Sequence, residues 1–216
     1  MDSAAALVAD DWNVSASRDA RVRAARVQER IRITDLLAMA FADDPPTRWL
    51  YPDDEEYRRN FPEFVRAFGG DCVELGSASC VEGMSACALW LPPGESANEE
   101  ALVEHVVWRI APHRHDEVFA LFEAIGRVHP LEPHWYLPII GVEPAYQGNG
   151  LGSALLRHGL ERCDRDCTPA YLEATRSENI RLYERHGFKP LEPIRIGSCP
   201  PITPMWRAAS IPARRR

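Results

Sequence analysis

The chain of 216 residues contains no apolar run near the roughly 20 residues that a membrane-crossing helix requires. Its first residues carry acids and lack a basic segment ahead of an apolar one, so no signal peptide and no membrane partner are expected, and the cytoplasm is the expected location. Without an export signal, Cys72, Cys80, Cys87, Cys163, Cys167 and Cys199, scattered through predicted strands and a helix, read as reduced thiols rather than disulfide partners. An excess of basic charge is also missing. The net charge of −7 argues against a nucleic-acid partner and suits attraction of a cationic amine. His113 and His115 have no third ligand at a standard spacing, so no metal is expected.

What is present is an ordinary globular balance, 45% hydrophobic and 26% charged, enough for one domain with its own core. Residues 1–18 show no periodicity and are expected to form a mobile leader, residues 19–210 a single domain, and residues 211–216 a solvated basic tail. Val22 and Ala24 alternate with arginines as a first strand would. Ile33, Leu36, Leu37, Ala40 and Phe41 recur at helical spacing up to a stop at Asp43-Asp44-Pro45-Pro46. Trp49, Leu50 and Tyr51 follow as a loop that either packs onto the core or lines a substrate cleft. Tyr57, Phe61, Phe64, Val65 and Phe68 share a second helical face, and Pro62 within it predicts a restart or kink near Asn60.

Residues 73–80 and 85–91 read as a hairpin about Glu82-Gly83, residues 98–110 and 113–128 as helices split at Pro112, and residues 134–142 as a strand. Pro138 and Gly141 interrupt that strand. Proline cannot donate to a ladder, and an interior glycine marks a bulge or a close backbone approach, so the strand is expected to part from its neighbour there. A strand over 169–174 then implies a parallel pair joined by a right-handed crossover. Thr175 or Ser177 is the expected cap of the following helix, Thr175 having Glu178 at capping-box spacing, and Gly187 its C-terminal stop. Met205-Trp206-Arg207 reads as a closing strand.

The most informative stretch joins the strand at 134–142 to the helix that begins near Leu151. Gly148, Gly150 and Gly152 stand at alternate positions where a loop turns into a helix. Glycine admits positive φ and close approach of a ligand, and the first amides of a helix have no internal acceptor. Together they make a cradle of N–H donors at the positive end of a helix dipole, suited to a pyrophosphate. A dinucleotide-binding fingerprint would need Gly or Ala where Ser153 or Leu155 stands, and a P-loop would need a lysine that the loop lacks.

Gln147-x-x-Gly150-x-Gly152 after a strand ending Val142-x-Pro144, followed by Asn179-x-x-x-Tyr183-x-x-x-Gly187-Phe188, resembles the GNAT superfamily of acetyl-CoA-dependent N-acetyltransferases. Over roughly residues 27 to 207 the chain is similar to the puromycin N-acetyltransferase type, through Ala40-Phe41-Ala42-Asp43-Asp44-Pro45, the run from Gly141 to Ala154, and Tyr183-Glu184-Arg185-x-Gly187-Phe188. The resemblance implies an α/β (α+β) fold with a mixed central sheet, flanked by helices and splayed between its fourth and fifth strands. It implies acetyl-CoA as cofactor and direct transfer of its acetyl group to a primary amine of a small molecule, by a monomer or homodimer.

The same resemblance places the cofactor against Ile140, Gly141, Val142, Gln147, Gly148, Asn149, Gly150, Leu151, Gly152, Ser153, Asn179 and Tyr183. Tyr183 stands where the family has its general acid, and a phenol holds its proton at neutral pH. Backbone N–H near Ile140 to Val142 would hold the oxyanion. The base is left between two residues. Family members carry His or Glu at positions matching Tyr136 and Pro138, where this chain has neither; His134 on the same strand face and Glu173 on the next strand are the candidates. Trp49, Tyr51 and Tyr136 are expected around the acceptor, and Asn149 replaces a basic residue found in many relatives, so a charge on the phosphates is expected to be missing. Acetylation of protein lysines or N-termini, and a non-catalytic acyl-CoA sensor, are the rival functions.

Overall fold

The structure is a computed structural model that describes residues 20–210. The leader and the basic tail expected from the sequence lie outside the described residues. Seven strands form one sheet: β1 (Val22–Ala24), β2 (Ser79–Val81), β3 (Ala86–Leu91), β4 (Trp135–Val142), β5 (Ala170–Ala174), β6 (Lys189–Pro190) and β7 (Thr203–Arg207), in the order β1-β2-β3-β4-β5-β7-β6. Only β4 and β5 pair in parallel, as the intervening crossover helix demands; every other neighbour is antiparallel. No helix of the described residues is long and apolar enough to cross a membrane.

Strand alternation divides the core into two layers. Cys87, Leu89, Leu91, Tyr136, Ile139 and Tyr171 face one side, beneath α1 (Arg30–Ala40), α3 (Asp54–Gly69), α4 (Glu99–Arg109) and α5 (His115–Val128). Ala86, Ala88, Trp90, Leu137, Leu172 and Ala174 face the other, beneath α6 (Leu151–Arg165) and α7 (Ser177–Arg185). All six cysteines are free thiols, and of them only Cys167 is exposed.

The feature that makes a site is an irregularity in β4. Leu89 pairs with Ile139 but Leu91 pairs with Tyr136, so β4 carries one residue more than β3 across this step. That bulge re-phases the strand: Tyr136 and Ile139, three apart, both face the first layer. On its other edge β4 pairs with β5 only through Trp135, Tyr136 and Leu137. Pro138 is the first residue without a partner there, while β5 continues through Glu173 and Ala174 on β7 alone. The two strands splay where the proline was expected to part them. Gly141 has a different reason to be glycine: a Cβ there would stand 2.7 Å from Leu37 Cδ2 and 2.8 Å from Ala40 Cβ, so its absence lets α1 lie against the strand.

Three local expectations fail for identifiable reasons. Pro45 and Pro46 stop α1 but also open α2 (Pro45–Leu50), because proline fits a first helical turn, and Asp44 caps it by accepting from Thr47 N at 3.2 Å. Trp49 and Leu50 are therefore helical rather than loop. Pro62 sits within α3 without a break in the assigned helix. Thr175 does not cap α7, whose N-cap is Arg176 with no capping side chain; its hydroxyl instead donates to Asp44 Oδ1 at 2.5 Å. Asp44 is only 3% exposed, and this bond ties the start of α2 to the end of β5.

Burial keeps several histidines neutral. It pushes His105 and His186 down from 6.5 to about 4, the second with help from Arg157, Arg185 and Arg207, and it lowers His134 and His158 as well. Folded pKa values below the unfolded value mean that the unfolded chain binds more protons in between, so stability rises with pH across that window. Thermal melts are expected to show a falling midpoint as pH drops from about 6.5 towards 4. His186→Gln should flatten that fall.

Candidate active site

The splay opens a cleft of about 1180 Å³ between the outer halves of β4 and β5, roofed by the starts of α6 and α7. One wall is the free edge of β4. Glu143 N–H donates to Ser85 O at 2.9 Å, towards β3, and backbone groups alternate sides along a strand. Residues 139 and 141 therefore also address β3, while the N–H and C=O groups of Ile140 and Val142 point into the cleft. Gln147 Nε2 donates to Val142 O at 3.1 Å from that side, fastening the following loop to the strand.

The loop itself adopts the conformation its glycines allow. Gly148 and Gly150 have φ of 77° and 74°, and Gly150 is the N-cap of α6 with no side chain capping the helix. The N–H groups of Leu151, Gly152 and Ser153 are the first-turn donors of α6 and have no intrahelical acceptor. Asn149 turns its amide back onto Tyr146 O and Gln147 O at 3.2 and 3.4 Å, so it shapes the loop rather than reaching the cleft. Positive charge arrives from elsewhere: Arg157, Arg176 and Arg185 all line the cleft, and Arg157 also donates to Ser153 Oγ at 3.1 Å. These arginines, on α6, on α7 and at its N-cap, lie outside the loop motif and could not be read from it. Asn179, one turn into α7, lines the opposite lip.

Tyr183 projects from α7 into the inner end of the cleft. The residue is 6% exposed, its ring packs against Phe188 at 6.2 Å, and its hydroxyl makes no hydrogen bond to the described residues. Burial, and secondarily the charge of Asp44, raise its pKa well beyond the ordinary phenol range, so it stays protonated at any physiological pH. It is a proton held ready in a cavity.

Across the splay, Glu173 rises from β5 on the other face of the sheet. Tyr136 donates its hydroxyl to Glu173 Oε2 at 2.7 Å, and His129 Nδ1 lies 3.8 Å from Oε1. Behind them stands His134. Its Nδ1 is 2.7 Å from Glu132 O, which can only accept, so the proton is on Nδ1. Its Nε2, 3.1 Å from His129 Nε2, is then a lone pair, and His129 must donate to it. A neutral His129 consequently turns its own Nδ1 lone pair towards Glu173.

The structure separates the sequence candidates accordingly. Glu173 and Tyr183 meet in the cleft with Ile140, Val142 and the 147–153 loop. His134 lies behind Glu173 and is not part of the lining of the cleft; it connects through His129, a residue that looked like part of a connecting segment. Tyr136 is buried and reaches the site only by holding Glu173. Tyr51 is 1% exposed and bonded to His105 at 2.5 Å within the first core layer, so it does not meet an acceptor. Trp49 does line a cavity, one that it shares with Glu173.

A family model described as an acetyltransferase (GNAT) domain matches residues 110–190, which contain the whole of β4, the glycine loop, α6, β5 and α7. Over these residues the chain is similar to a GNAT acetyltransferase domain. It is an acyltransferase. A solved structure described as a histone acetyltransferase and related acetyltransferase from Corynebacterium glutamicum is 29% identical, covers 90% of this chain and 98% of its own, and superposes with a TM-score of 0.63. The polyamine N-acetyltransferase of Drosophila melanogaster is 17% identical, covering 88% of this chain and 100% of its own, with a TM-score of 0.60. An arylalkylamine N-acetyltransferase from Aedes aegypti is 12% identical over 88% and 99%, with a TM-score of 0.61. At such identities the last two share the fold of this acetyltransferase domain and settle nothing about its acceptor.

Proposed function

We propose that the protein is an N-acetyltransferase that moves the acetyl group of acetyl-CoA directly to a primary amine of a small molecule, in a ternary complex. One observation carries the reading: a slot through the sheet joins an uncapped, glycine-lined helix start on one side to a buried carboxylate on the other, with a protonated phenol between. The residues fit the cofactor. N–H groups of 148–153 and the three arginines suit its diphosphate, and the edge of β4 at Ile140, which β5 does not pair, suits the amide groups of its arm. Acetyl-CoA would supply an activated thioester and a thiolate leaving group. The Ile140 N–H would stabilise the carbonyl oxygen as charge develops on it. Glu173, oriented by Tyr136 and backed by His129, would take the proton of the amine as nitrogen bonds to carbon. Tyr183 would give its proton to sulfur as the carbon–sulfur bond breaks.

The protein-acetylating alternative is less well supported because the acceptor side is a small cavity rather than an open groove. The kinship to the puromycin-acetylating type rests on the sequence motifs alone.

Gly152 offers a test that separates cofactor binding from folding. A Cβ there would meet Leu182 at 3.6 Å and Val142 at 3.8 Å, ordinary contacts, and alanine favours a helix over glycine by about 0.5–1 kcal/mol. Gly152→Ala is therefore expected to melt no lower than the parent while its acetyl-CoA affinity, read by calorimetry, falls at least about tenfold. An unchanged affinity would remove the diphosphate from this loop.

A further inference from the structure

Beyond Glu173 the slot opens into a second cavity, of about 100 Å³, that shares Phe41, Pro138, Glu173 and Thr175 with the cofactor cleft. From the chemistry of this cavity we infer that the acceptor is a monoamine whose body is apolar, uncharged and no larger than about one ring. The inference rests on the acetyl-transfer reading above and narrows its substrate.

Charge decides first. Among the described residues that line the cavity, Glu173 is the only one that is ionisable; the others are apolar or aromatic apart from Thr47 and Thr175. Phe61, Phe64 and Phe68 on α3 stack in a row, with centroids 5.9 and 5.3 Å apart, and Trp49 and Phe122 close the far side. One carboxylate can receive one ammonium. A diamine or guanidino-amine would push a second cation into this aromatic wall, and a charge buried without a partner is costly. Asp44 does not serve it. Its oxygens are taken by Thr47 N, Thr47 Oγ1 and Thr175 Oγ1, and the guanidinium of Arg176 stands 3.9 Å away.

Volume decides next. A dry apolar cavity of about 150 Å³ holds benzene, so about 100 Å³ holds a short branched chain or, with slight give of the phenylalanines, one ring. The side chain of a peptide lysine would bring its backbone into the same space. The cavity therefore selects by what it cannot solvate and by what it cannot contain.

The test is a panel of amines with acetyl-CoA, read by thiol release and product mass: isoamylamine and benzylamine against putrescine, agmatine and a lysine-containing peptide. The apolar monoamines are expected to show kcat/KM at least about tenfold above the rest. Best turnover with a dication or the peptide would overturn this inference while leaving acetyl transfer intact. No turnover with any amine would overturn the catalytic reading and this inference with it. Phe122→Ala enlarges the cavity and is expected to shift preference from isoamylamine towards a two-ring amine, and an unchanged order of preference would place the acceptor elsewhere.

Discussion

Tyr183→Phe is expected to lower kcat by about 10²–10⁴-fold, the usual range for loss of a positioned general acid, with acetyl-CoA affinity unchanged. The substitution is clean because of what the hydroxyl does not do. It has no hydrogen bond to the described residues, so its removal orphans no partner, and the ring keeps its packing against Phe188. A phenol driven to a higher pKa by burial keeps its proton until sulfur departs, and the same desolvation makes a thiolate leaving beside it more basic than it would be in water, which favours the transfer. Steady-state kinetics paired with calorimetry separates the outcomes. Retained kcat would show that sulfur is protonated by another group, and lost affinity would show that Tyr183 holds cofactor rather than supplying acid.

Glu173→Gln is expected to have an effect of similar size, about 10²–10⁴-fold in kcat. The amide keeps the shape, and its oxygen can still accept from Tyr136, so the fold is expected to survive. What disappears is the site that takes the amine's proton. The carboxylate is faced by Tyr136 on β4, Tyr171 on β5 and His129, with His134 behind, and the two phenols stay neutral because burial raises them. His129→Gln, which leaves the carboxylate in place, should cost far less of kcat than Glu173→Gln does. A rate that is unchanged in Glu173→Gln would pass the role to a solvent molecule.

Much of this site was legible in the chain. Three glycines at alternate positions announced the helix start, and Pro138 announced the parting of strands, because each residue type removes something local: a side chain, or an N–H. The failures have the opposite character. Thr175 sits at capping-box spacing from Glu178 yet bonds Asp44, far away in sequence, because a buried carboxylate at the head of α2 needs donors more than α7 needs a cap. Tyr51 lay in the right neighbourhood for an acceptor contact, but a bond to His105 on α4 turned it inward. His129 resembled connector sequence, and only the approach of β5 gives it a carboxylate to face. The arginines that line the cleft come from α6, α7 and the N-cap of α7, none of which the loop motif contains. Local chemistry is written in the sequence; partnerships across the sheet are not.

The account stands on where acetyl-CoA binds, and a crystal structure of the complex reads that directly. The diphosphate should lie against the N–H groups of 148–153, the arm along Ile140 and Val142, and the thioester between Tyr183 and Glu173. A cofactor seated with its diphosphate away from that helix start, or with its sulfur out of reach of the Tyr183 hydroxyl, would contradict it.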